Sequence, residues 1–597
     1  MKILLTALNA KYIHSNLAVY SLKAAAREYK KMIEIAEFTI NNSEDYVLEE
    51  IYKRKPDVLM FSCYIWNLSM IENVMREFHK LCPKVPIWLG GPEVSFEVEC
   101  FLEEHPEVTG VMMGEGEETL RELCEYYVKQ KAVSKSASGQ FDVSGAIEKG
   151  DELKNILGIA YRKENGEIQV NSWRAILDMS TLPFAYERKG NFSNRIIYYE
   201  SSRGCPFSCS YCLSSVDKKL RFRDLELVKK ELQFFIDQRV PQVKFVDRTF
   251  NCHHEHAMAI WQFIHEHDNG VTNFHFEVSA DLINEEELAL MKQMRPGLIQ
   301  LEIGVQSTNE LTIQEIKRTM KLERLKEVVK EIKSFGNIHQ HLDLIAGLPF
   351  EDCATFQKSF DDIYVLRPNQ LQMGFLKVLK GSYMHAHAEE YEILYHDNPP
   401  YEVLATKWLS YEDILRLKRI EEMLEVYYNS GQYEIAMKVL EGSFTSAFEM
   451  FQMLGDFYEA KAYFGMSHSR IRRCEILLEF LEETFLEDEN KNELLACMKE
   501  ALIFDLYYRE NCKSRPSWAV DAGSFKRITH FYCKNGKLSH VEPFHFDFLT
   551  EWNKMPVYVE EPVWVQFFYD RRDVLSHQAQ VIKIQPERDM QVEKKGN

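Results

Sequence analysis

The chain has 597 residues, 45% of them hydrophobic and 27% charged, which is enough for three or four cores. Its formal net charge of −20 opposes general binding to a phosphate backbone, so nucleic acid is a poor candidate for its partner. No window reaches the roughly 18 continuous apolar residues of a membrane span. The start, Met1-Lys-Ile-Leu-Leu-Thr-Ala-Leu, is too short for a signal sequence, and thirteen scattered cysteines read as a cytoplasmic chain without disulfides.

Residues 1–130 alternate short apolar runs with helical patterns. Lys2-Ile-Leu-Leu-Thr-Ala-Leu, Val58-Leu-Met-Phe-Ser, Ile87-Trp-Leu-Gly-Gly and Gly110-Val-Met-Met-Gly read as buried parallel strands. Ala18 to Tyr29 and Ile71 to Cys82 read as helices between them. This is the rhythm of an α/β, doubly wound, Rossmann-like domain, which binds ligands beyond the carboxyl ends of its strands. Three exits carry small or polar residues: Ser62, then Gly90-Gly91-Pro92-Glu93, then Gly114-Glu115-Gly116-Glu117. Glycines there let a large flat ligand approach the backbone closely.

Residues 131–190 read as a linker. Ser134-Lys-Ser-Ala-Ser-Gly139 is a small polar loop. Gly158-Ile-Ala-Tyr-Arg, the Asn165-Gly166 turn and Ile168-Gln-Val form a β-hairpin.

Residues 191–385 carry six apolar strand candidates with helices between: Ile196 to Glu200, Gln242 to Asp247, Phe274 to Ser279, Ile299 to Val305, Leu342 to Ala346 and Gln370 to Leu376. After the first comes Glu200-Ser-Ser-Arg-Gly-Cys205-Pro-Phe-Ser-Cys209-Ser-Tyr-Cys212. Three thiolates at this C-x3-C-x2-C spacing can hold three irons of a four-iron cluster and leave the fourth open to chelate a small molecule. A structural zinc site wants four ligands, and the nearest candidates, His253 and His254, lie well down the chain.

With this spacing the sequence resembles the radical S-adenosylmethionine superfamily, which implies a partial (β/α)6 TIM-like barrel, a [4Fe-4S] cluster on Cys205, Cys209 and Cys212, and bound S-adenosylmethionine. It also implies a low-potential electron donor such as flavodoxin or ferredoxin. Glu302-Ile-Gly-Val-Gln306, Arg318 and Asp343-Leu-Ile-Ala-Gly-Leu-Pro349 are similar to the branch containing oxygen-independent coproporphyrinogen oxidase. That likeness assigns Gln306 and Asp343 to the ribose hydroxyls, Arg318 to the methionine carboxylate, and Ala346 and Gly347 to the adenine. Glu277 is a further contact. Such roles suit amide and carboxylate acceptors and a guanidinium fork. Asp247-Arg248-Thr249 stands where the family has a glycine-rich strand exit.

The first domain, immediately upstream of such a core, looks like the cobalamin-binding domain of many superfamily members. Ser62, Gly90, Gly91, Gly114 and Glu115 are then its candidate cobalamin contacts. The Asp-x-His-x-x-Gly signature that supplies a cobalt ligand is absent. His14 follows the first strand, and a structural hydrogen bond is the better expectation for it than cobalt ligation.

Residues 386–597 read as a mainly helical domain, with Ile414, Leu417, Ile420 and Met423 at helical spacing. Phe531-Tyr-Cys and Val563-Trp-Val-Gln-Phe-Phe-Tyr read as strands, and Arg571-Arg572-Asp573 as a turn. The resemblance implies a 5′-deoxyadenosyl radical and, with cobalamin, methyl transfer to an unactivated carbon of a small-molecule or peptide substrate. Two alternatives stay open: a cyclase or ring-rearranging oxidoreductase of the anaerobic magnesium-protoporphyrin ester cyclase type, and a non-enzymatic cobalamin or redox sensor with a structural cluster.

Overall fold

A computed structural model describes all residues except 137–151, 187–193, 216–217, 487–490, 534–537, 553–554, 587 and 589–597. The N-terminal sheet has seven strands: β1 (Ile3–Asn9), β2 (Ile33–Thr39), β3 (Val58–Ser62), β4 (Ile87–Gly90), β5 (Gly110–Met112), β6 (Ile159–Arg162) and β7 (Ile168–Val170). Their order is β2-β1-β3-β4-β5-β6-β7. The pairs β1–β2, β1–β3, β3–β4 and β4–β5 are parallel, while β5–β6 and β6–β7 are antiparallel.

All seven residues of β1 and all five of β3 are buried. A strand covered on both faces needs a continuous apolar run, which is why these two were readable. One face packs Leu4, Leu59, Leu89 and Val111 against Ile71, Met75 and Phe78 of the helix Leu68–Leu81. The other packs Leu5, Met60, Trp88 and Met112 against Leu120, Leu123 and Cys124 of the helix Glu117–Ser136.

Two expectations change here. The hairpin β6–β7 is part of this sheet rather than of a linker, because Val111 and Met112 pair with Ala160 and Ile159. The helix Glu117–Ser136 takes in Ser134 to Ser136, read above as loop. The rest of that stretch, 137–139, lies outside the described residues.

A second sheet contains β8 (Ile196–Tyr199), β11 (Gln242–Phe245), β12 (Asn273–Val278), β13 (Ile299–Gln306), β14 (His339–Ala346) and β15 (Gln370–Phe375). Between its first two strands the chain forms the small pair β9 (Ser202–Arg203) and β10 (Arg221–Phe222). The sheet order is β15-β14-β13-β12-β11-β8, and β8, β11 and β12 run parallel. Helices alternate with the strands, as at Leu225–Asp237, His254–Glu266 and Glu285–Gln293. This is an open row of βα units, and β8 and β15 are its ends.

Beyond it, β16 (Leu394–Tyr395) pairs with β17 (Val403–Ala405). Helices follow at Tyr411–Met423, Glu434–Glu441, Ala447–Ala460, Arg470–Thr484 and Lys491–Arg509. The last sheet is antiparallel: β18 (Ser539–Phe546), β19 (Tyr558–Arg572) and β20 (Ala579–Ile584). Phe531 and Tyr532 end the helix Lys526–Tyr532, so they are not strand; the run Val563 to Tyr569 is, inside β19.

By compactness the chain forms two units. One comprises residues 1–302, 313–328 and 375–407, the other 303–312, 329–374 and 408–597. Residues 386–407 thus fall in the first unit and 408–597 in the second. No helix among the described residues is long and apolar enough to cross a membrane.

Candidate active site

The cysteine loop begins one residue after β8 and is held from several sides. Asp247, two residues past β11 and fully buried, accepts the Ser201 N–H at 3.0 Å, Ser201 Oγ at 2.6 Å and Ser202 Oγ at 2.6 Å. Burial pushes its carboxyl above the ordinary range, against those hydrogen bonds. This acid, standing where a glycine-rich exit was expected, anchors the loop.

Gly204 has φ +86°, and a Cβ there would stand 2.7 Å from the Lys219 carbonyl oxygen, so only glycine fits before the first cysteine. Cys205 is buried, its Sγ 3.8 Å from Thr249 Oγ1. The Cys212 N–H donates to the Cys209 carbonyl at 3.2 Å, which closes a tight turn. Ser210 is tied twice through its backbone, donating to Ile316 O and accepting from Met384 N, both at 2.9 Å.

Arg318 reaches this loop. Its Nη1 donates to Tyr211 Oη at 3.2 Å and lies 3.9 Å from Cys209 Sγ. Burial pushes the Cys209 thiol up, while the Arg318 charge pulls it down. A thiolate ligand needs the second effect.

Gln306, Asp343, Ala346 and Gly347, the candidates for the nucleoside, lie in the other unit. Gln306 ends β13 with φ +73°, a left-handed backbone uncommon for a side-chain-bearing residue and characteristic of functional sites. Its Oε1 is buried and has no hydrogen-bond partner among the described residues. Asp343 lies within β14, its Oδ1 3.1 Å from His341 Nε2. Ala346 ends β14 fully buried, and Gly347 follows with φ +94°.

Glu277 belongs to β12 in the first unit, two residues beyond a polar row that the sequence did not disclose. Register pairs Lys244 with Tyr198 on one side and with His275 on the other. Glu302 approaches both, 2.7 Å from Lys244 Nζ and 2.9 Å from His275 Nε2. Burial works against its charge, but His275 and Lys244 outweigh that and hold its carboxyl well below the usual range. Tyr198 in turn meets His14 from the loop after β1, Oη to Nδ1 at 2.5 Å. That bond is the structural role expected of His14.

At the carboxyl ends of the N-terminal strands the candidates separate. Ser62 ends β3 and its carbonyl accepts from Asn67 Nδ2 at 3.0 Å. Gly90 packs near Met112, and at Gly91 (φ +122°) a Cβ would fall 2.2 Å from the Cys63 carbonyl oxygen. Packing alone therefore demands glycine at 91. Gly114 (φ +71°) faces the ring of Trp173. Glu115 is committed to protein groups: Arg203 Nη1 at 3.1 Å, Arg221 Nη2 at 2.8 Å and the Leu177 N–H at 2.7 Å.

The residues present fit the implied groups. For a cluster there is a rigid loop of three thiols outside any disulfide. Thiolates of a four-iron cluster bind one to each iron, and among the described residues no three His, Cys, Asp or Glu converge on a single metal ion. For a ribose there is the orphaned Gln306 oxygen. For a flat corrin edge there are exposed rings beyond the strand ends, Tyr12 after β1 and Trp66, stacked on Tyr64 at 4.4 Å, after β3.

Comparison with known proteins agrees. The B12 binding domain family matches residues 3–124, the Radical SAM superfamily residues 199–363, and a "Protein of unknown function (DUF4080)" family residues 389–543. Similar curated proteins include an uncharacterized methyltransferase of Pyrococcus horikoshii, 26% identical, over 50% of this chain and 62% of that protein. The anaerobic magnesium-protoporphyrin IX monomethyl ester cyclase of Rubrivivax gelatinosus is 22% identical over 56% and 58%. The cobalamin-dependent radical SAM methyltransferase TokK of Streptomyces tokunonensis is 25% identical over 51% and 44%. The chain thus covers less than two thirds of each of these relatives.

Two solved structures share the fold. OxsB, a cobalamin-dependent S-adenosylmethionine radical enzyme, aligns at 14% identity and TM-score 0.54 over 84% of this chain and 83% of its own. TsrM of Kitasatospora setae, a radical S-adenosylmethionine methyltransferase, aligns at 16% and 0.51 over 67% and 79%. The chain therefore carries a B12 binding domain followed by a Radical SAM domain that keeps its three-cysteine loop; the first implies cobalamin, and the second a [4Fe-4S] cluster and S-adenosylmethionine.

Proposed function

We propose that the enzyme transfers a methyl group to an unactivated carbon of a small-molecule or peptide substrate. The observation that carries the reading is the direct joining of the two cofactor modules. Glu115 and Glu117, on the loop after β5 of the B12-binding domain, bind Arg203, two residues before the first cluster cysteine. Methyl transfer needs both cofactors to serve one substrate atom, and a direct junction between the two modules supports that reading.

When bound, the reduced cluster and S-adenosylmethionine supply a hydrogen-abstracting radical, and cobalamin supplies a methyl group. The protein's share is orientation and exclusion of water. Cys205, Cys209 and Cys212 would hold the cluster, with Asp247 fixing the loop that bears them. Arg318 would clamp the methionine carboxylate, and Gln306 and Asp343 would accept from the ribose hydroxyls. Ala346 and Gly347 would offer backbone to the adenine, and Glu277 a further contact. The B12-binding domain would meet the corrin with Ser62, Gly90, Gly91 and Gly114. Glu115 serves instead to position that loop.

Two similar proteins carry methyltransferase names, which favours this reading over ring chemistry. The cyclase likeness at 22% identity supports a second reading, in which the same radical forms or rearranges a ring. Anaerobic incubation of cobalamin-loaded enzyme with S-adenosylmethionine and a low-potential reductant separates them. Methyl transfer predicts cobalamin-dependent S-adenosylhomocysteine together with 5′-deoxyadenosine. 5′-Deoxyadenosine alone would overturn methyl transfer in favour of the cyclase reading.

A further inference from the structure

We propose that Arg203 is a positioning residue that links the cluster loop to the cobalamin-facing loop, so that occupancy of one site is felt at the other. The inference rests on both cofactors being held and not on which bond the enzyme makes. Arg203 spends its donors on three carboxylates: Nε to Glu200 Oε2 at 2.8 Å, Nη1 to Glu115 Oε1 at 3.1 Å and Nη2 to Glu117 Oε1 at 2.5 Å. The side chains of Arg203 and Glu117 are 17% and 6% exposed, so these are not screened surface pairs.

A second guanidinium reinforces the first. Arg221 stands opposite Arg203 in the β9–β10 pair and shares Glu115 Oε1 at 2.8 Å. Burial works against ionisation of Glu117, yet Arg203 outweighs it and holds the carboxyl below its usual range. Three acids and two guanidiniums interlocked in this way form a unit in which moving one partner moves the rest.

Each end of the unit leads to a cofactor. On one side Arg203 is followed by Gly204 and Cys205, with Gly204 pinned against Lys219. On the other, Glu115 and Glu117 flank Gly116 in the loop after β5, on the edge of the sheet where doubly wound domains bind ligands. Glu117 also opens the helix Glu117–Ser136 and accepts from Ser21 Oγ at 3.2 Å. A shift of this loop on cobalamin binding is thus passed to Cys205 through one side chain. Lysine cannot replace it, because a single ammonium has no fork to span three carboxylates.

The test is a linkage measurement, since coupling between two sites is reciprocal. Hydroxocobalamin affinity is measured by visible titration of the full chain with and without a reconstituted cluster, for wild type, R203K and E117Q. We expect the cluster to change wild-type cobalamin affinity by about fivefold or more. In R203K, with iron content unchanged, the ratio falls toward one, and in E117Q it is intermediate. Equal affinities in wild type with and without the cluster would overturn the proposal, as would an unchanged ratio in R203K. If R203K does not fold, E117Q decides: a ratio equal to that of wild type then refutes the link. Failure of wild type to bind cobalamin at all would overturn the B12 reading itself, which the same titration shows separately.

Discussion

Arg318 and Cys209 stand 109 residues apart in the chain and 3.9 Å apart in space, Nη1 to Sγ. The same nitrogen donates to the Tyr211 hydroxyl, an acceptor that the carboxylate of a chelated methionine would replace. Hydrogen bonds to a charged group contribute about 1.5–3 kcal/mol. We expect R318A to keep its iron while binding S-adenosylmethionine about tenfold or more weakly, read from the effect of the cofactor on the electron paramagnetic resonance of the reduced cluster. Unchanged affinity would mean that another residue holds the carboxylate.

For the ligands themselves the expectation is sharper. C209A removes one of three thiolates and should lose the cluster's visible absorption and its iron after anaerobic reconstitution.

Asp247 acts one step behind the ligands. D247N keeps one acceptor oxygen for three donors and turns an amide N–H toward the rest. At about 1–3 kcal/mol per lost buried hydrogen bond, the variant should assemble a cluster yet release iron to a chelator faster than wild type. Equal release would show that Ser201 and Ser202 are held without it.

What the sequence disclosed follows from locality. Cys205, Cys209 and Cys212 lie within eight residues, and Gln306, Arg318 and Asp343 keep a recognisable spacing. The buried parallel strands were readable because β1 and β3 are covered on both faces. The Arg203–Glu117 pair joins residues 86 apart, and nothing in either neighbourhood announces the other. Lys244, His275 and Glu302 are likewise ordinary alternating residues on three strands until register puts them side by side. The β6–β7 hairpin and strand β5 were each visible, but their pairing was not, since strand pairing over a distance leaves no local mark. Phe531 and Tyr532 show the converse error: aromatic content suggested a strand where the chain turns a short helix.

His14 tests the cobalamin side. Its Nδ1 is engaged by Tyr198, and burial, with Lys11 and Lys244 nearby, lowers its pKa. H14A should therefore leave the visible spectrum of bound cobalamin unchanged, while costing about 1 kcal/mol of stability through the lost hydrogen bond. A spectral shift to a different axial ligation state would overturn the structural role.

Glu351 gives a pH signature away from the cofactors. It is fully buried, accepts from Ser307 Oγ at 2.5 Å and Ser359 Oγ at 2.9 Å, and follows closely on the Ala346-Gly347 turn. Burial, against those two bonds, raises its carboxyl from 4.5 to about 7. Between these values the folded chain keeps a proton that the unfolded chain has released. Its stability contribution is therefore full below pH 4.5, falls as pH rises through about 7, and amounts to at most about 3 kcal/mol. E351Q keeps an acceptor oxygen for the serines and cannot ionise. Urea unfolding of the full chain at pH 5 and pH 8 should show E351Q gaining on wild type by about 2 kcal/mol between the two. A difference that does not change with pH would mean that Glu351 ionises in the folded protein much as it does in water, with solvent or an unseen cation compensating its burial.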